Sequence, residues 1–278
     1  MRLLAATLLL ELLFQSTALP VIQSEIPFQY QDGLIWLKVD VPGKTSSLNF
    51  LLDSGSSVSA VDIRTAKTCR LEIGDRQPVE GIRGQAIGYR ITDLQCSVAG
   101  NAVPTSVLAV DLEAVSACCR QHVDGILGLD FFRGRIVRID FNARRIRLLK
   151  DCDLRVANCE VLPIKRCNGA FCVPMRIAGN PTQWLRLDKG CDSALEWVVS
   201  GTTKCQMNRP SIGLMRTSVS RINTWVRFGN DFFGNLTAGI HTNQIFPGED
   251  GLVGNGLLSK LCLIIDEPGS RVIFEKAR

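Results

Sequence analysis

Residues 48–57 read LNFLLDSGSS and contain the pattern that decides the fold. An apolar strand ends in the carboxylate of Asp53, which a hydroxyl residue, Ser54, and a glycine, Gly55, follow. An ionised carboxylate costs free energy to bury unless it is hydrogen-bonded, paired or neutralised. Ser54 and Ser56 can supply hydroxyl groups, and Gly55 lets backbone N–H groups come close. The pattern therefore predicts that Asp53 has a chemical task and a partner.

An internal repeat indicates the partner. Residues 183–195 read QWLRLDKGCDSAL and match the first stretch at an offset of 135 residues, which sets Asp188 against Asp53. A second motif also recurs, as VDGILGLDFF at residues 123–132 and as EDGLVGNGLL at residues 249–258. An apolar strand and a charged hairpin follow each copy. Two motifs in the same order, at nearly equal separation, predict two homologous lobes.

The paired motifs resemble those of the aspartic proteases. An apolar strand ending in D-S/T-G, followed tens of residues later by DGILG, is similar to the short retropepsin-like lobe. The resemblance covers residues 25–278 and implies a single chain with two lobes, as in pepsin-like members. It implies an all-β fold of acid-protease-type closed barrels, two pseudo-two-fold-related lobes with a cleft between them. The runs 126–128 and 252–254 would be strands beside the active-site turns.

The resemblance also implies an aspartic endopeptidase whose catalytic pair is Asp53 and Asp188. Two carboxyl groups about 3 Å apart cannot both ionise readily, so they share one proton. The ionised partner would take a proton from water, and the protonated partner would donate to the scissile carbonyl oxygen. The residues expected to support this dyad lie in the two turns: Ser54, Gly55, Ser56, Gly190 and Cys191.

A glycine-rich hairpin tip lies between the two motifs of the first lobe and contains Gly81, Ile82, Arg83 and Gly84. Glycine permits large backbone excursions, and at this position the family has a flap that closes over bound peptide. An ordinary glycine-rich hairpin is the alternative. We expect a peptide or protein substrate that lies extended in the cleft, as an added strand does. We expect no cofactor, no metal and no nucleic acid.

Lys189 departs from the family pattern, which has Ser or Thr at this position. In the family this hydroxyl bonds across to the backbone of the other lobe. An ammonium at the dyad would favour two ionised carboxylates and remove the shared proton. An ammonium that reaches solvent would leave the dyad on a looser scaffold, and Asp192 is a candidate partner that could draw it away.

Two alternatives to the active enzyme stay open. The first is a catalytically impaired pseudoprotease that binds peptide or protein in the same cleft, because Lys189 replaces the hydroxyl residue. In the second, the first lobe pairs with another copy of itself through two-fold symmetry.

Composition excludes several other classes. The 278 residues can bury a substantial core, and a hydrophobic content of 46% is far from that of a disordered chain. The net charge of +5 is spread out. Its densest basic run, residues 144–150, alternates with apolar residues, which predicts a solvated hairpin edge. The chain has no phosphate-binding loop with Lys-Ser/Thr, no G-x-S-x-G elbow and no H-E-x-x-H motif.

The first residues predict export. A basic start, a short apolar run and small residues near Ala18 are typical of a signal peptide spanning 1–18, against an uncleaved anchor or a plain leading helix. The mature protein would be secreted or periplasmic, without a stable membrane span, and monomeric. We expect the first lobe at 25–150, a linker at 151–160 and the second lobe at 161–278.

The eleven cysteines agree with an oxidising compartment. The best candidate for a local disulfide is Cys167 with Cys172, because the intervening Asn168-Gly169 is a turn signal.

Overall fold

The computed structural model describes residues 22–81, 84–150, 159–199, 211–212 and 219–276. These residues form mostly β-strands, with three short α-helices and one 3₁₀-helix. The predicted signal peptide at 1–18 and most of the predicted linker at 151–160 lie outside the described residues. We call residues 22–150 the first half and residues 159–276 the second half.

The first half contains thirteen strands, two α-helices and the 3₁₀-helix. They are β1 (Ile22–Pro27), β2 (Gln29–Gln31), β3 (Leu34–Asp40), β4 (Leu48–Leu52), β5 (Ala60–Asp62), α1 (Ile63–Thr68), β6 (Arg76–Gly81), β7 (Gly84–Ile91), β8 (Ser97–Val98), β9 (Asn101–Ala102), β10 (Val107–Val110), α2 (Glu113–Ala117), β11 (Gly125–Leu127), the 3₁₀-helix (Leu129–Phe132), β12 (Ile136–Asp140) and β13 (Arg145–Leu149).

The described part of the second half contains eleven strands and one α-helix. They are β14 (Glu160–Pro163), β15 (Lys165–Cys167), β16 (Ala170–Ile177), β17 (Gln183–Leu187), β18 (Leu195–Val198), β19 (Ser211–Ile212), β20 (Ser220–Phe228), β21 (Asp231–His241), β22 (Gly251–Val253), α3 (Asn255–Leu258), β23 (Leu261–Asp266) and β24 (Arg271–Lys276).

Each half has a sheet of its own. In the first half the strand order is β6-β7-β10-β5-β11-β4-β3-β8-β9, with β2 on β3 and with β19 of the second half added beside β6. In the second half the order is β15-β16-β17-β22-β18-β21-β20, and β16 also pairs with β20. That extra pairing closes six strands into a barrel. The predicted all-β fold class is confirmed.

A third sheet joins the halves. Its order is β1-β13-β12-β23-β24-β14, so three strands come from each half. The junction is the antiparallel pair β12–β23, where Val137 lies opposite Ile265. The basic run at 144–150 lies on the hairpin of β12 and β13, but the predicted edge position is wrong, because β1 pairs with the other side of β13. Its arginines Arg145 and Arg147 bind Glu25 at 3.0 and 2.8 Å, while Ile146 is buried.

The repeated motifs form equivalent parallel strand pairs. β4 lies beside β11 with Leu52 opposite Leu127, and β17 lies beside β22 with Leu187 opposite Val253. The backbone N–H of Asn49 donates to Asp124 at 2.8 Å, and the corresponding N–H of Trp184 donates to Asp250 at 2.9 Å. The aspartates of the second motif thus fix the start of each strand that leads to the dyad.

Packing requires the second glycine of each second motif, Gly128 in the first half and Gly254 in the second. A Cβ on Gly128 would lie 2.4 Å from the backbone of Val58, and a Cβ on Gly254 would lie 2.5 Å from the carbonyl oxygen of Ser193. Val58 and Ser193 are themselves equivalent positions of the repeat. Both glycines have extended backbone angles, so contact rather than conformation excludes a side chain.

We therefore expect Gly128→Ala to destabilise the protein by about 1–3 kcal/mol, because the added methyl group meets backbone that cannot move away freely. Gly74→Ala is the matched control, since its Cβ would lie 3.1 Å from its nearest neighbour, the Arg90 carbonyl oxygen, a contact that small shifts relieve. Urea denaturation measures both. Equal free energies of unfolding for the two variants would contradict this role for Gly128.

Candidate active site

The first turn surrounds the Asp53 carboxylate with donors. Asp53 follows β4, and its own N–H donates to the Leu127 carbonyl oxygen at 2.9 Å. Its Oδ1 accepts from the N–H of Gly55 at 2.8 Å and of Ser56 at 3.2 Å. Its Oδ2 accepts from the Ser56 hydroxyl at 2.5 Å. Three donors from one tight turn stabilise the ionised form of Asp53.

The second turn repeats this plan with fewer donors. Asp188 follows β17, and its N–H donates to the Val253 carbonyl oxygen at 3.0 Å. Its Oδ1 accepts from the N–H of Gly190 at 2.8 Å. Cys191 stands where the first turn has Ser56, and its thiol lies 3.1 Å from the Ser193 hydroxyl. Asp188 therefore receives less stabilisation of its charge than Asp53 does.

The two turns bring the carboxyl groups together. Asp53 and Asp188 are buried, and a hydrogen bond joins their side chains. A Cβ on Gly55 would lie 2.5 Å from the Asp188 carboxyl carbon, and a Cβ on Gly190 would lie 2.5 Å from that of Asp53. Each turn thus presses its glycine against the acid of the other half. Because Asp188 already occupies this place, a second copy of the chain has no vacant position beside Asp53.

The two carboxyl groups differ in proton affinity because their surroundings differ. Burial raises the pKa of Asp188 well above its usual range, and the charge of Asp53 together with the hydrogen bond to it raises that pKa further. Burial also raises the pKa of Asp53, against the opposing effect of its hydrogen bonds, of which the one from Ser56 is the largest. Asp53 is therefore the ionised member of the pair, and Asp188 holds the proton.

Ser54 ties the first turn to the second half. Its hydroxyl donates to the Leu187 carbonyl oxygen at 2.7 Å and accepts from the N–H of Lys189 at 3.2 Å. Both contacts flank Asp188 along the chain. One side chain of the first half therefore fixes the backbone on either side of the opposing acid.

The Lys189 side chain neither points at the dyad nor reaches solvent, which were the two positions expected from the sequence. Its side chain is fully buried, and Nζ lies 4.8 Å from the centroid of the Phe141 ring. Among the described residues, Nζ has no hydrogen-bond partner, so Asp192 does not draw it away. Burial lowers the pKa of Lys189 to about 7. The ammonium thus neither reaches solvent nor pairs with the dyad.

The sequence reading missed Arg186 and Glu249, which form a buried ion pair next to the dyad. The Glu249 carboxylate accepts from Nε of Arg186 at 2.7 Å and also from Nη2. Nη1 donates to the Gly55 carbonyl oxygen at 2.6 Å. The repeat carried the signal, because it sets Arg186 against Leu51 and Glu249 against Val123. Two opposite charges at positions that are apolar in the other half indicate an ion pair.

The predicted flap lies on the hairpin of β6 and β7, in which Gly81 pairs with Gly84. Ile82 and Arg83 lie outside the described residues. β19 runs parallel to β6, with Ser211 opposite Glu80, so a segment of the second half lies along the edge of this hairpin. The flap role stays a prediction.

The predicted partners Cys167 and Cys172 lie on the predicted hairpin as thiols, and a hydrogen bond between them lowers the pKa of Cys167. They are diagonal and not direct neighbours, because Cys167 pairs with Ala170 and Cys172 with Lys165. A disulfide between them stays a prediction.

Within the described ranges, no group of three or more His, Cys, Asp and Glu side chains is placed to hold a metal ion. None of the helices there is long and apolar enough to cross a membrane.

Solved structures place the fold. The chain is similar to an aspartic proteinase from Irpex lacteus, with a TM-score of 0.61 and 14% identity, over 91% of this chain and 97% of that one. It is also similar to basic 7S globulin from soybean, with a TM-score of 0.55 and 12% identity, over 93% of this chain and 96% of that one. No protein-family model and no curated protein matches the sequence. The chain has the aspartic-proteinase fold.

We expect Lys189→Met to stabilise the protein by a few kcal/mol at pH 6 and by less than about 1 kcal/mol at pH 10. The pKa of Lys189 is about 7 in the folded chain against 10.5 for a free side chain, so the unfolded chain binds this proton more tightly. The cost to stability is therefore complete below pH 7 and declines as the pH rises towards 10.5.

Chemical denaturation at both pH values measures this difference. Lys67→Met is the matched control, because Lys67 is exposed at the end of α1. A gain for Lys189→Met that is equal at pH 6 and pH 10 would show that the buried ammonium does not titrate near 7.

Proposed function

We propose that the protein is an aspartic-type endopeptidase in which Asp53 and Asp188 hydrolyse a peptide bond together. The observation that carries the proposal is the buried, hydrogen-bonded carboxyl pair with unequal proton affinities. Amide hydrolysis needs a base that activates water and an acid that polarises the carbonyl group. One pair of acids that shares a single proton supplies both.

The unequal number of donors in the two turns supports different catalytic roles for the two acids. Asp53, with three donors from its own turn, is the base and takes a proton from a water molecule as that water attacks the carbonyl carbon. Asp188 gives its proton to the carbonyl oxygen, which yields a neutral tetrahedral diol. As the diol collapses, Asp188 takes a proton back from one of its hydroxyl groups, the C–N bond breaks, and the proton held by Asp53 passes to the leaving amine nitrogen. The pair ends with one proton, as it began.

The substrate we propose is an extended peptide or protein segment. The hairpin of β6 and β7 would cover it as a flap, with Gly81, Ile82, Arg83 and Gly84 at the tip. Both acids are buried, so a peptide reaches them only after the residues that cover them move. The aspartic proteinase from Irpex lacteus supports the proposal at the level of the fold. Export through a signal peptide at 1–18, to a secreted or periplasmic place of action as a monomer, belongs to the same proposal.

A second candidate function is binding of peptide or protein without turnover. Lys189 favours it, because the hydroxyl expected at this position is missing and an amine is buried beside the second turn. The second structural neighbour is named a globulin, so the fold is not restricted to proteins named as proteinases.

Substitution of either acid separates the two candidates. We expect Asp53→Asn and Asp188→Asn each to lower the rate of peptide hydrolysis by at least about 100-fold, because a single carboxyl group cannot act as base and acid together. Asp192→Asn is the matched control, since Asp192 is an acid of the second turn outside the pair. The fold of each variant is checked by circular dichroism.

Wild-type rates in either dyad variant would refute the mechanism. If the wild-type chain binds a hydroxyl-containing transition-state mimic but hydrolyses no peptide in a library, the binding function replaces the enzyme.

The dependence of kcat/KM on pH is a separate test. We expect a bell-shaped profile, because activity needs Asp53 ionised and Asp188 protonated. Activity falls at acid pH as Asp53 takes up a proton and at higher pH as Asp188 loses one. Both limbs lie above the pH at which an ordinary Asp titrates, since the pKa of each acid is raised. Constant activity from pH 3 to pH 8 would contradict the shared proton.

A further inference from the structure

The two halves differ at one buried pair of positions. Leu51 and Val123 lie in an apolar cluster of the first half. The equivalent Arg186 and Glu249 of the second half are just as buried but charged, with 0% and 2% of their surfaces exposed. A buried ion pair is often no more stable than an apolar pair of similar volume, because both charges lose their hydration. The first half shows that this fold accepts the apolar pair, so stability does not explain the charges.

The contacts of Arg186 point across to the first half. Glu249 holds one edge of the guanidinium group through two hydrogen bonds, and Cζ lies 3.5 Å from the centroid of the Phe246 ring. With the group fixed in this way, Nη1 reaches the Gly55 carbonyl oxygen at 2.6 Å. Gly55 belongs to the first turn. Arg186 therefore makes a link between the halves that its counterpart Leu51 cannot make.

The bond from Arg186 to Gly55 joins the halves where the second turn lacks the hydroxyl link that the first turn has. Ser54 binds the second turn from the first half, through the Leu187 carbonyl oxygen and the N–H of Lys189. Lys189 is the equivalent of Ser54 in the second turn. A hydroxyl group at position 189 would therefore make the equivalent hydrogen bond from the second half to the first. Lys189 has no hydroxyl, and its side chain lies against Phe141 instead. The bond from Arg186 to Gly55 is thus a side-chain link from the second half to the first.

The bond also leads to the dyad through a single peptide group. The carbonyl of Gly55 and the N–H of Ser56 belong to the same peptide, and that N–H donates to Oδ1 of Asp53 at 3.2 Å. A guanidinium group on the oxygen polarises the peptide and strengthens the donor at its other end. The positive charge also lowers the pKa of Asp188, against the larger effects that raise it.

We propose that Arg186, oriented by Glu249, is a positioning residue that replaces the missing hydroxyl link of the second turn and holds Asp53 against Asp188. The inference rests on the proposed function for its kinetic readout. Arg186 bonds to the Gly55 carbonyl oxygen of the first turn, so its proposed effect on catalysis acts through Asp53.

The test replaces the ion pair by the apolar pair of the first half. Arg186→Leu combined with Glu249→Val leaves no unpaired charge and is expected to fold. We expect kcat to fall about tenfold or more with KM nearly unchanged, and the basic limb of the pH profile to move to higher pH. Arg186→Lys keeps the charge but not the forked geometry, so kcat should fall while the limb stays in place.

Rescue by Lys189→Thr makes the test specific to the lost link. In the Leu/Val background we expect Lys189→Thr to restore kcat by at least fivefold, because a hydroxyl at 189 can form the bond that the repeat predicts. In the wild-type background the same substitution should change kcat less than twofold. Such non-additive effects are expected when Arg186 and a hydroxyl group at position 189 each make a link from the second half to the first. Additive effects, or a Leu/Val variant with wild-type kcat and pH profile, would overturn the proposal.

A readout without turnover keeps this test separate from that of the proposed function. Carbon-13 NMR of labelled aspartates follows the titration of the Asp188 carboxyl in the wild-type chain, the Leu/Val variant and Arg186→Lys. If no peptide is hydrolysed, an upward shift of the Asp188 midpoint in the Leu/Val variant alone still supports the role of Arg186. An unchanged midpoint overturns it.

Discussion

The close approach of two tight turns is the constraint on which the rest of the structure depends. Gly55 and Gly190 have no Cβ, and each packs against the carboxyl group of the other half at a distance that any side chain would close. Two acids are thereby buried together, where two charges cannot persist. The parallel strands behind the turns, the aspartates that fix those strands and the sheet shared by both halves all serve to hold this contact.

The pair is symmetric in backbone but not in chemistry. Ser56 gives the first acid a hydroxyl donor, whereas Cys191 at the equivalent place makes its contact with Ser193. The first turn therefore stabilises a negative charge better than the second. The same strand-and-turn unit in each half supplies the geometry, and differences in single side chains give the two acids different proton affinities.

The repeat made the fold and the meeting of Asp53 with Asp188 predictable, because both follow from local motifs that recur. Lys189 shows the limit of that reasoning. Its departure from the pattern was visible, but its direction depends on Phe141, which is distant in sequence. Arg186 and Glu249 were missed although the aligned halves set both against apolar residues, because each was read alone and not as one half of a buried pair.

Infrared spectroscopy at pH 6, well above the ordinary Asp pKa of 3.8, detects a shared proton as the C=O band of a protonated carboxyl group. We expect this band in the wild-type protein and its loss in Asp188→Asn. A wild-type spectrum without the band, or a band that persists unchanged in Asp188→Asn, would show that Asp53 and Asp188 do not share a proton.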